Sequence, residues 1–168
     1  MVQEVRRRVF VSYHHGGDQA YYDSFSRFYH DNLQLITDNS LERAIDSGSV
    51  DYVMRRIREE HLHGSSCTIV LCGENTPKRK YIDWEIYASL GQEMGLVGIG
   101  LPSISWYQNG GTFKPPRLQD NIDSKYAEWT LWQDLVNSPA VLGQKIEAAV
   151  AKSSRLISNS RQRMSRNG

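Results

Sequence analysis

The chain has 168 residues, of which 39% are apolar and 23% are charged, as is typical of one folded domain. No apolar run approaches the roughly 20 residues that cross a membrane, and the first ten residues lack the long apolar stretch of a secretory signal. The net charge is +1, but residues 1–8 carry +2, residues 152–168 carry +5, and the body between them carries −6. The acidic body argues against a nucleic-acid partner. Together with the missing membrane span and secretory signal, it leads us to expect a cytoplasmic protein that binds neither nucleic acid nor membrane.

The predicted elements alternate between strands and helices. In chain order they are a strand at 7–13, a helix at 19–33 capped by Asp18, a strand at 33–38, an apolar helical face within 50–62, a strand at 65–73, a helix at 81–95, a strand at 96–102, a short edge strand within 127–134, and a helix at 140–157 that Pro139 opens. Residues 102–125 have no firm periodicity and predict a long connection. We expect a domain over 1–151, with 152–168 forming the end of the last helix and a basic, disordered tail.

This order of elements predicts an α/β fold. We expect a flavodoxin-like, doubly wound and mainly parallel sheet of four to five strands, with helices on both faces. Cys67 and Cys72 lie five residues apart in the apolar strand 65–73. They should therefore face opposite sides of the sheet, which argues against a disulfide between them and for a reducing compartment. Ligands of such sheets bind beyond the carboxyl ends of the strands.

The segment HHGGD at 14–18 raises two chemical alternatives. Adjacent histidines on a strand point to opposite faces, and His61 and His63 are poorly spaced on a helix, so we expect no metal site. Gly16 and Gly17 precede a helix start, where backbone N–H groups can face an anion. They can equally serve only as a strand-to-helix turn. Neither a GxxxxGK[ST] motif nor a GxGxxG motif follows the first strand, so both interpretations stay open.

The strand ends do not fit phosphoryl transfer through an aspartate. That chemistry needs acidic residues after the first strand and an aspartate after the third, whereas SYH (12–14) and CG (72–73) stand there. Glu85 lies in the first turns of helix 81–95, beside Trp84. A single helical glutamate is most often a solvated surface residue, and a tryptophan is most often part of the core. Spacing alone therefore assigns neither residue a function.

Three segments, taken together and in order, carry a family resemblance. They are the first strand RVFVSYH (8–14), the central strand SCTIVLCG (66–73) and, after a basic loop, the Trp-Glu pair at 84–85. This arrangement resembles the TIR-like domain family, and most closely the ThsB-type TIR proteins of bacterial Thoeris anti-phage defence systems. The resemblance covers about residues 6–151.

The resemblance implies a fold that processes NAD⁺. Enzymes of this class cleave the N-glycosidic bond between nicotinamide and ribose, and the ADP-ribose part is then hydrolysed, cyclised or transferred. In ThsB-type members the product is a signalling nucleotide that activates a partner effector. The catalytic glutamate of the family matches Glu85 of this chain. NAD⁺ would be the substrate, and no separate cofactor is implied.

The resemblance also implies contacts with the substrate. The expected binding residues end the first strand, follow the second strand or flank the glutamate: Ser12, Tyr13, His14, Asn39, Ser40 and Trp84. The pair after the second strand matches a loop that often covers the nucleotide, and the tryptophan would pack on the nucleotide or shape the wall. That loop, TDNSLERAIDSGS, lacks the proline of signalling adaptors, which argues against adaptor-type docking through it.

Three functions remain open. The first is an NAD⁺ glycohydrolase or ADP-ribosyl cyclase whose diffusible product reaches an effector protein, with a phage-derived trigger and self-association as further partners. The second is a non-catalytic TIR-type module for sensing and interaction, which can lack the acid that this chain has at Glu85. The third is a flavodoxin-like nucleotide binder, which would want phosphate-binding side chains where HHGGD supplies only glycines. We expect the first.

Overall fold

A computed structural model describes residues 6–37 and 50–168, and its elements confirm the predicted alternation. In chain order they are β1 (Arg7–Ser12), α1 (His15–Tyr29), β2 (Leu33–Ile36), α2 (Val50–Arg56), β3 (Cys67–Cys72), α3 (Lys80–Gly91), β4 (Gly95–Gly100), α4 (Pro116–Asp123), β5 (Glu128–Leu131), α5 (Trp132–Asn137) and α6 (Val141–Val150). A π-helical stretch, Ile57–Leu62, continues α2. No helix within these two ranges is long and apolar enough to cross a membrane.

The five strands form one parallel sheet in the order β2-β1-β3-β4-β5. This confirms the predicted α/β fold and its strand count. The chain winds outward from β1 to β2 and then returns to build the other half of the sheet from β3. The boundary between β1 and β3 is therefore the switch point, which is where ligands bind in doubly wound sheets.

Alternate residues of the strands bury the two faces of the sheet. Val11 packs with α1, α5 and α6 on one face, whereas Phe10 and Val70 pack with α2, α3 and α4 on the other. Cys67 and Cys72 lie on opposite faces as free, buried thiols, as predicted. Burial raises the pKa of both thiols, that of Cys67 to about 12. Because the thiolate is the reactive form, these two cysteines are structural.

Two glycines of β4 leave room for side chains of the edge strand β5 to pack against the β4 backbone. A Cβ atom at Gly98 would lie 2.7 Å from the Trp129 ring, and one at Gly100 would lie 2.9 Å from both Trp129 and Leu131. Trp129 therefore packs directly on the β4 backbone, and the ammonium group of Lys114 lies 4.6 Å from the centre of its ring.

Residues 102–125 differ from the long connection predicted for them. The first part forms a tight turn over 105–113, closed by an antiparallel bridge between Trp106 and Thr112, and the second part contains α4. The buried residues of α4 are Arg117, Leu118 and Asn121. Because two of these three positions are polar, no apolar periodicity marks this helix in the sequence.

The tail also differs from the prediction. α6 ends at Val150, and residues 158–168 pack along α3 and α4 instead of being disordered. The Asn121 side chain donates to the Ser158 carbonyl across 2.8 Å and accepts from the Ser158 N–H across 2.9 Å. The N–H of Gly168 donates to the carbonyl of Lys78 across 2.9 Å. Polar groups hold this tail, which is why an apolar pattern did not predict its packing.

Candidate active site

The carboxyl end of β1 lies beside the middle of α3, at the switch point of the sheet. There the hydroxyl of Ser12 donates a hydrogen bond to Oε1 of Glu85 across 3.3 Å. Ser12 is 1% exposed and Glu85 is 7% exposed. The fold thus brings together two predicted site residues that lie 73 positions apart in the sequence. It also shelters the carboxylate from bulk water, where its charge would be screened.

Two buried hydrogen bonds fix the part of α3 that carries Glu85. The hydroxyl of Ser89 donates to the Glu85 carbonyl oxygen across 2.8 Å. The same hydroxyl shares a 2.6 Å hydrogen bond with Thr68 Oγ1 on β3. Glu85 is therefore held by a helix that is bonded to the central strand, and a site on such a rigid element has a defined geometry.

His14 follows β1 and lies over the start of α1. A Cβ atom at Gly16 would lie 3.1 Å from the His14 ring, and one at Gly17 would lie 3.0 Å from it. The two glycines thus leave room for the imidazole. The His14 carbonyl accepts the N–H groups of Gly17 and Asp18 across 3.3 and 2.8 Å. Since these amides bond within the chain, the arrangement argues against the phosphate cradle. Gly16 and Gly17 do not precede the helix as predicted, because α1 begins at His15 and they lie in its first turn.

Asp18 has a role that the sequence did not predict. The sequence predicts Asp18 as the cap of this helix, but α1 begins at His15, and Asp18 is buried in its first turn with 4% of its surface exposed. The Thr76 hydroxyl donates to Oδ2 of Asp18 across 3.5 Å, and a Cβ atom at Gly73 would lie 2.6 Å from both carboxylate oxygens. Burial raises the pKa of Asp18, whereas His14 and Thr76 act to lower it. Asp18 thus ties α1 to the loop after β3.

Tyr13 belongs to the opposite face of the sheet from Glu85. Its ring stacks on Tyr22 of α1, with centroids 4.5 Å apart and planes 3° apart, and its hydroxyl donates to Gln19 across 2.9 Å. Burial raises the pKa of Tyr13 to about 12. These contacts make Tyr13 part of the core. Its contact with a substrate stays a prediction.

Asp83 and Trp84 precede Glu85 on α3, and both bond within the protein. The Trp84 indole N–H donates to the Met164 carbonyl oxygen in the tail across 2.8 Å, and the side chain is 4% exposed. Asp83 accepts two hydrogen bonds from Arg117, of 2.8 and 3.3 Å. The contacts of Trp84 give it a packing role, and its stacking on a nucleotide stays a prediction.

The two remaining predicted site residues, Asn39 and Ser40, lie outside the described residues. The chain approaches that segment at Thr37, whose hydroxyl donates to the Val11 carbonyl across 3.1 Å. Within 6–37 and 50–168, no cluster of three or more His, Cys, Asp or Glu side chains could hold a metal ion. Among the predicted site residues that the structure describes, Ser12 and Glu85 are joined by a hydrogen bond, and we take this pair as the centre of the candidate site.

Among solved structures, the chain is similar to the TIR domains in the structure of the activated Roq1 resistosome directly recognizing the pathogen effector XopQ. The identity is 14% and the TM-score is 0.41, with 86% of this chain and 81% of that chain covered. No curated protein matches the sequence.

The family model described as Thoeris protein ThsB, TIR-like domain, matches residues 10–105. This segment is more than half of the chain, runs from β1 past β4, and includes both Ser12 and Glu85. The chain belongs to the ThsB TIR-like domain family.

Proposed function

We propose that this protein is an NAD⁺-consuming enzyme that cleaves the bond between nicotinamide and ribose, with Glu85 as the catalytic carboxylate. The observation that carries the proposal is the hydrogen bond between Ser12 and Glu85 at the switch point of the sheet. Both residues lie in the segment that matches the family, and some TIR domains are NAD⁺ hydrolases. We therefore assign to the Glu85 carboxylate the stabilisation of the positive charge that develops on the sugar.

The chemistry requires a negative charge close to the ribose. As the bond between C1′ and the pyridinium nitrogen breaks, its electron pair goes to nicotinamide and positive charge develops on the sugar, as in glycoside hydrolysis. A sheltered carboxylate stabilises that charge strongly. Nicotinamide leaves as a neutral molecule, so no strong general acid is needed. Water or a second nucleophilic group of the substrate then bonds to C1′ and loses a proton.

Ser12 and His14 have supporting roles in this proposal. The Ser12 hydroxyl donates to Oε1 of Glu85 and would hold the carboxylate in one orientation as the sugar becomes positive. His14 is half-buried just beyond the end of β1, where an imidazole can donate a hydrogen bond to a ribose or phosphate oxygen. Ser12 is thus a positioning residue, and His14 is a candidate substrate contact.

The wider role that we propose rests on family membership. After cleavage, the ADP-ribose part would be converted into a signalling nucleotide, most simply a cyclic one, that diffuses to an effector protein. A phage-derived trigger and assembly of several copies would switch the reaction on. NAD⁺ is the substrate in this scheme, and no further cofactor is required.

The test is nicotinamide release from NAD⁺ by the purified chain, with and without lysate from phage-infected cells. Glu85→Gln keeps the size of the side chain and an acceptor for Ser12 but removes the charge, so we expect release to fall at least about 100-fold. The matched control is Glu59→Gln, the same change at an exposed position of the π-helical stretch. We expect that variant to release nicotinamide at the wild-type rate.

Release that persists in Glu85→Gln would contradict the proposed mechanism. If the wild type releases no nicotinamide under either condition, the second candidate gains weight, namely a non-catalytic module for sensing and interaction. An apolar cleft of about 240 Å³ between α1 and α5 favours that candidate. Phe28 is 58% exposed and Val136 is 49% exposed there, and exposed apolar surface can mark an interaction site.

A further inference from the structure

A cavity of about 570 Å³ opens at the carboxyl edge of the sheet, beyond β3 and β4. Its walls come from the loop after β3, the turn 105–113, the start of α4 and the tail. This volume lies within the range of small-molecule sites. Neither Ser12 nor Glu85 lines the cavity, so an inference about it does not depend on the proposed catalytic function.

One wall of the cavity is a fixed aromatic surface. The rings of Tyr107 and Phe113 pack with centroids 4.1 Å apart and planes 30° apart. Tyr107 is nevertheless 47% exposed and Phe113 is 44% exposed. Backbone hydrogen bonds hold the turn that carries them: the Tyr107 N–H donates to Gly111 across 2.6 Å, and the Phe113 N–H donates to Ser105 across 2.9 Å. Half-exposed rings on a braced turn offer a flat apolar ligand a preorganised surface to stack on.

Positive charge lies beside this aromatic wall. Lys78 and Lys114 line the cavity with one exposed acid, Glu74. The other two charged residues of the wall, Arg161 and Asp120, neutralise each other through hydrogen bonds of 2.7 and 2.9 Å. Among the lining residues that the structure describes, the two lysines therefore outweigh the one unpaired acid, which favours an anion.

The position of Lys114 strengthens this preference. Its side chain is half-buried against the Trp129 ring, and burial lowers its pKa. A partly desolvated ammonium group interacts strongly with an anion because water screens the pair less. The cavity thus combines a site for a flat ring with a site for negative charge.

We propose that this cavity binds a nucleoside phosphate, with the base stacked on the outer face of the Tyr107–Phe113 pair and the phosphate bound by Lys78 and Lys114. A nucleoside phosphate carries an aromatic ring and an anion on one short framework, which matches the two features of the wall. Stacking of a base on an aromatic side chain is sequence-tolerant and contributes substantially to affinity.

The test uses AMP, adenosine and inorganic phosphate as separate probes in calorimetric titrations of the whole chain. AMP lacks the nicotinamide bond, so binding is measured apart from the proposed reaction. We expect AMP to bind at least about tenfold more tightly than either adenosine or phosphate. Phe113→Ala and Tyr107→Ala should each weaken AMP binding at least about fivefold. Lys78→Gln should weaken AMP binding and leave adenosine binding unchanged.

The matched control is Trp106→Ala, which removes an exposed aromatic ring from the same turn. Trp106 is 56% exposed and lines the neighbouring cavity, with Trp129 and Lys145. The two cavities share Thr112 and Lys114, but Trp106 lines only the second. We expect this variant to bind AMP as the wild type does. Unfolding midpoints check that each variant is folded. If an aromatic variant does not fold, Lys78→Gln, a change at an exposed position, provides the test.

Three results would overturn the proposal. The first is AMP binding no tighter than that of adenosine or phosphate, which includes no detectable binding. The second is AMP affinity unchanged in folded Tyr107→Ala and Phe113→Ala, or in Lys78→Gln. The third is a loss in Trp106→Ala as large as that in Tyr107→Ala, which would place the nucleotide on the other side of the turn.

Discussion

Asp83 and Glu85 are two carboxylates of one helix, two residues apart, with different neighbours. Asp83 pairs with the fully buried guanidinium of Arg117 and also accepts the Met164 N–H across 2.8 Å. It thereby joins α3 to α4 and to the tail. The side chain of Glu85 extends from α3 to the end of β1, where it accepts a hydrogen bond from the neutral hydroxyl of Ser12. One carboxylate is built into the architecture, and the other lies where ligands of such sheets bind.

The difference shows that closeness in sequence does not imply a shared role. Residues two apart on an α-helix point in directions about 200° apart, so Asp83 and Glu85 meet different neighbours. A buried carboxylate that pairs with a guanidinium stabilises the fold, and its removal lowers the free energy of unfolding. Under the proposed function, the sheltered carboxylate at the switch point carries the chemistry, so its removal should lower activity. Four variants sharpen or break this contrast.

Asp83→Ala should have the largest effect on stability. It leaves the guanidinium of Arg117 buried without its carboxylate, and breaking such a pair costs about 3–5 kcal/mol. The free energy of unfolding in urea measures the loss. The matched control is Asp120→Ala, which removes the partly exposed partner of Arg161 and should cost much less. Equal losses in the two variants would remove the distinction between a structural and a surface carboxylate.

Ser12→Ala should lower activity by about tenfold with little change in the fold, because a hydrogen bond to a charged acceptor contributes about 1.5–3 kcal/mol. The rate of nicotinamide release and the unfolding midpoint are measured together. Ser12→Thr, which keeps the hydroxyl, should recover part of the rate. An unchanged rate in Ser12→Ala would mean that this hydroxyl does not position Glu85.

Trp84→Phe should cost about 1 kcal/mol of stability, because phenylalanine keeps an aromatic ring in the core but loses the indole hydrogen bond to Met164. If Trp84 only packs, nicotinamide release should stay close to the wild-type rate. A large fall in rate without a matching fall in stability would instead support the predicted contact of Trp84 with the nucleotide.

Asp120→Asn should have the smallest effect, below about 1 kcal/mol, because the Arg161 side chain is 47% exposed and that of Asp120 is 25% exposed. The hydrogen bond from Arg161 lowers the pKa of Asp120 from its ordinary 3.8. The pair therefore stabilises the fold above that pH, and the stabilisation disappears as the pH falls through the lowered value. Urea unfolding of the wild type and the variant between neutral and acidic pH tests this. If the difference in free energy of unfolding between the wild type and Asp120→Asn grows as the pH falls, the predicted pH dependence is wrong.

The sheet and its buried strands could be predicted because their signals are apolar. The run 65–73 predicted a strand buried on both faces, and the odd spacing of Cys67 and Cys72 predicted their opposite faces. Both follow from the two-residue period of a strand. The pairing of Ser12 with Glu85 has no such local signal, since the residues lie 73 positions apart. Only the family resemblance assigned the two residues to one site.

The parts that could not be predicted are held by polar groups. α4 buries Arg117 and Asn121, which interrupt the apolar pattern of a helix. The tail is bound partly through its backbone groups, as where Met164 contacts Asp83 and Trp84, and backbone hydrogen bonds leave no mark in composition. The sequence predicts Asp18 as a cap because caps favour aspartate, whereas its burial depends on Gly73, which becomes its neighbour only in the fold.

The most direct measurement is the ratio of the nicotinamide release rates of the wild type and Glu85→Gln, at equal concentrations of folded protein and under conditions where the wild type is active. We predict a ratio of at least about 100 with the unfolding midpoint nearly unchanged. A ratio near one would contradict the assignment of Glu85 as the catalytic carboxylate.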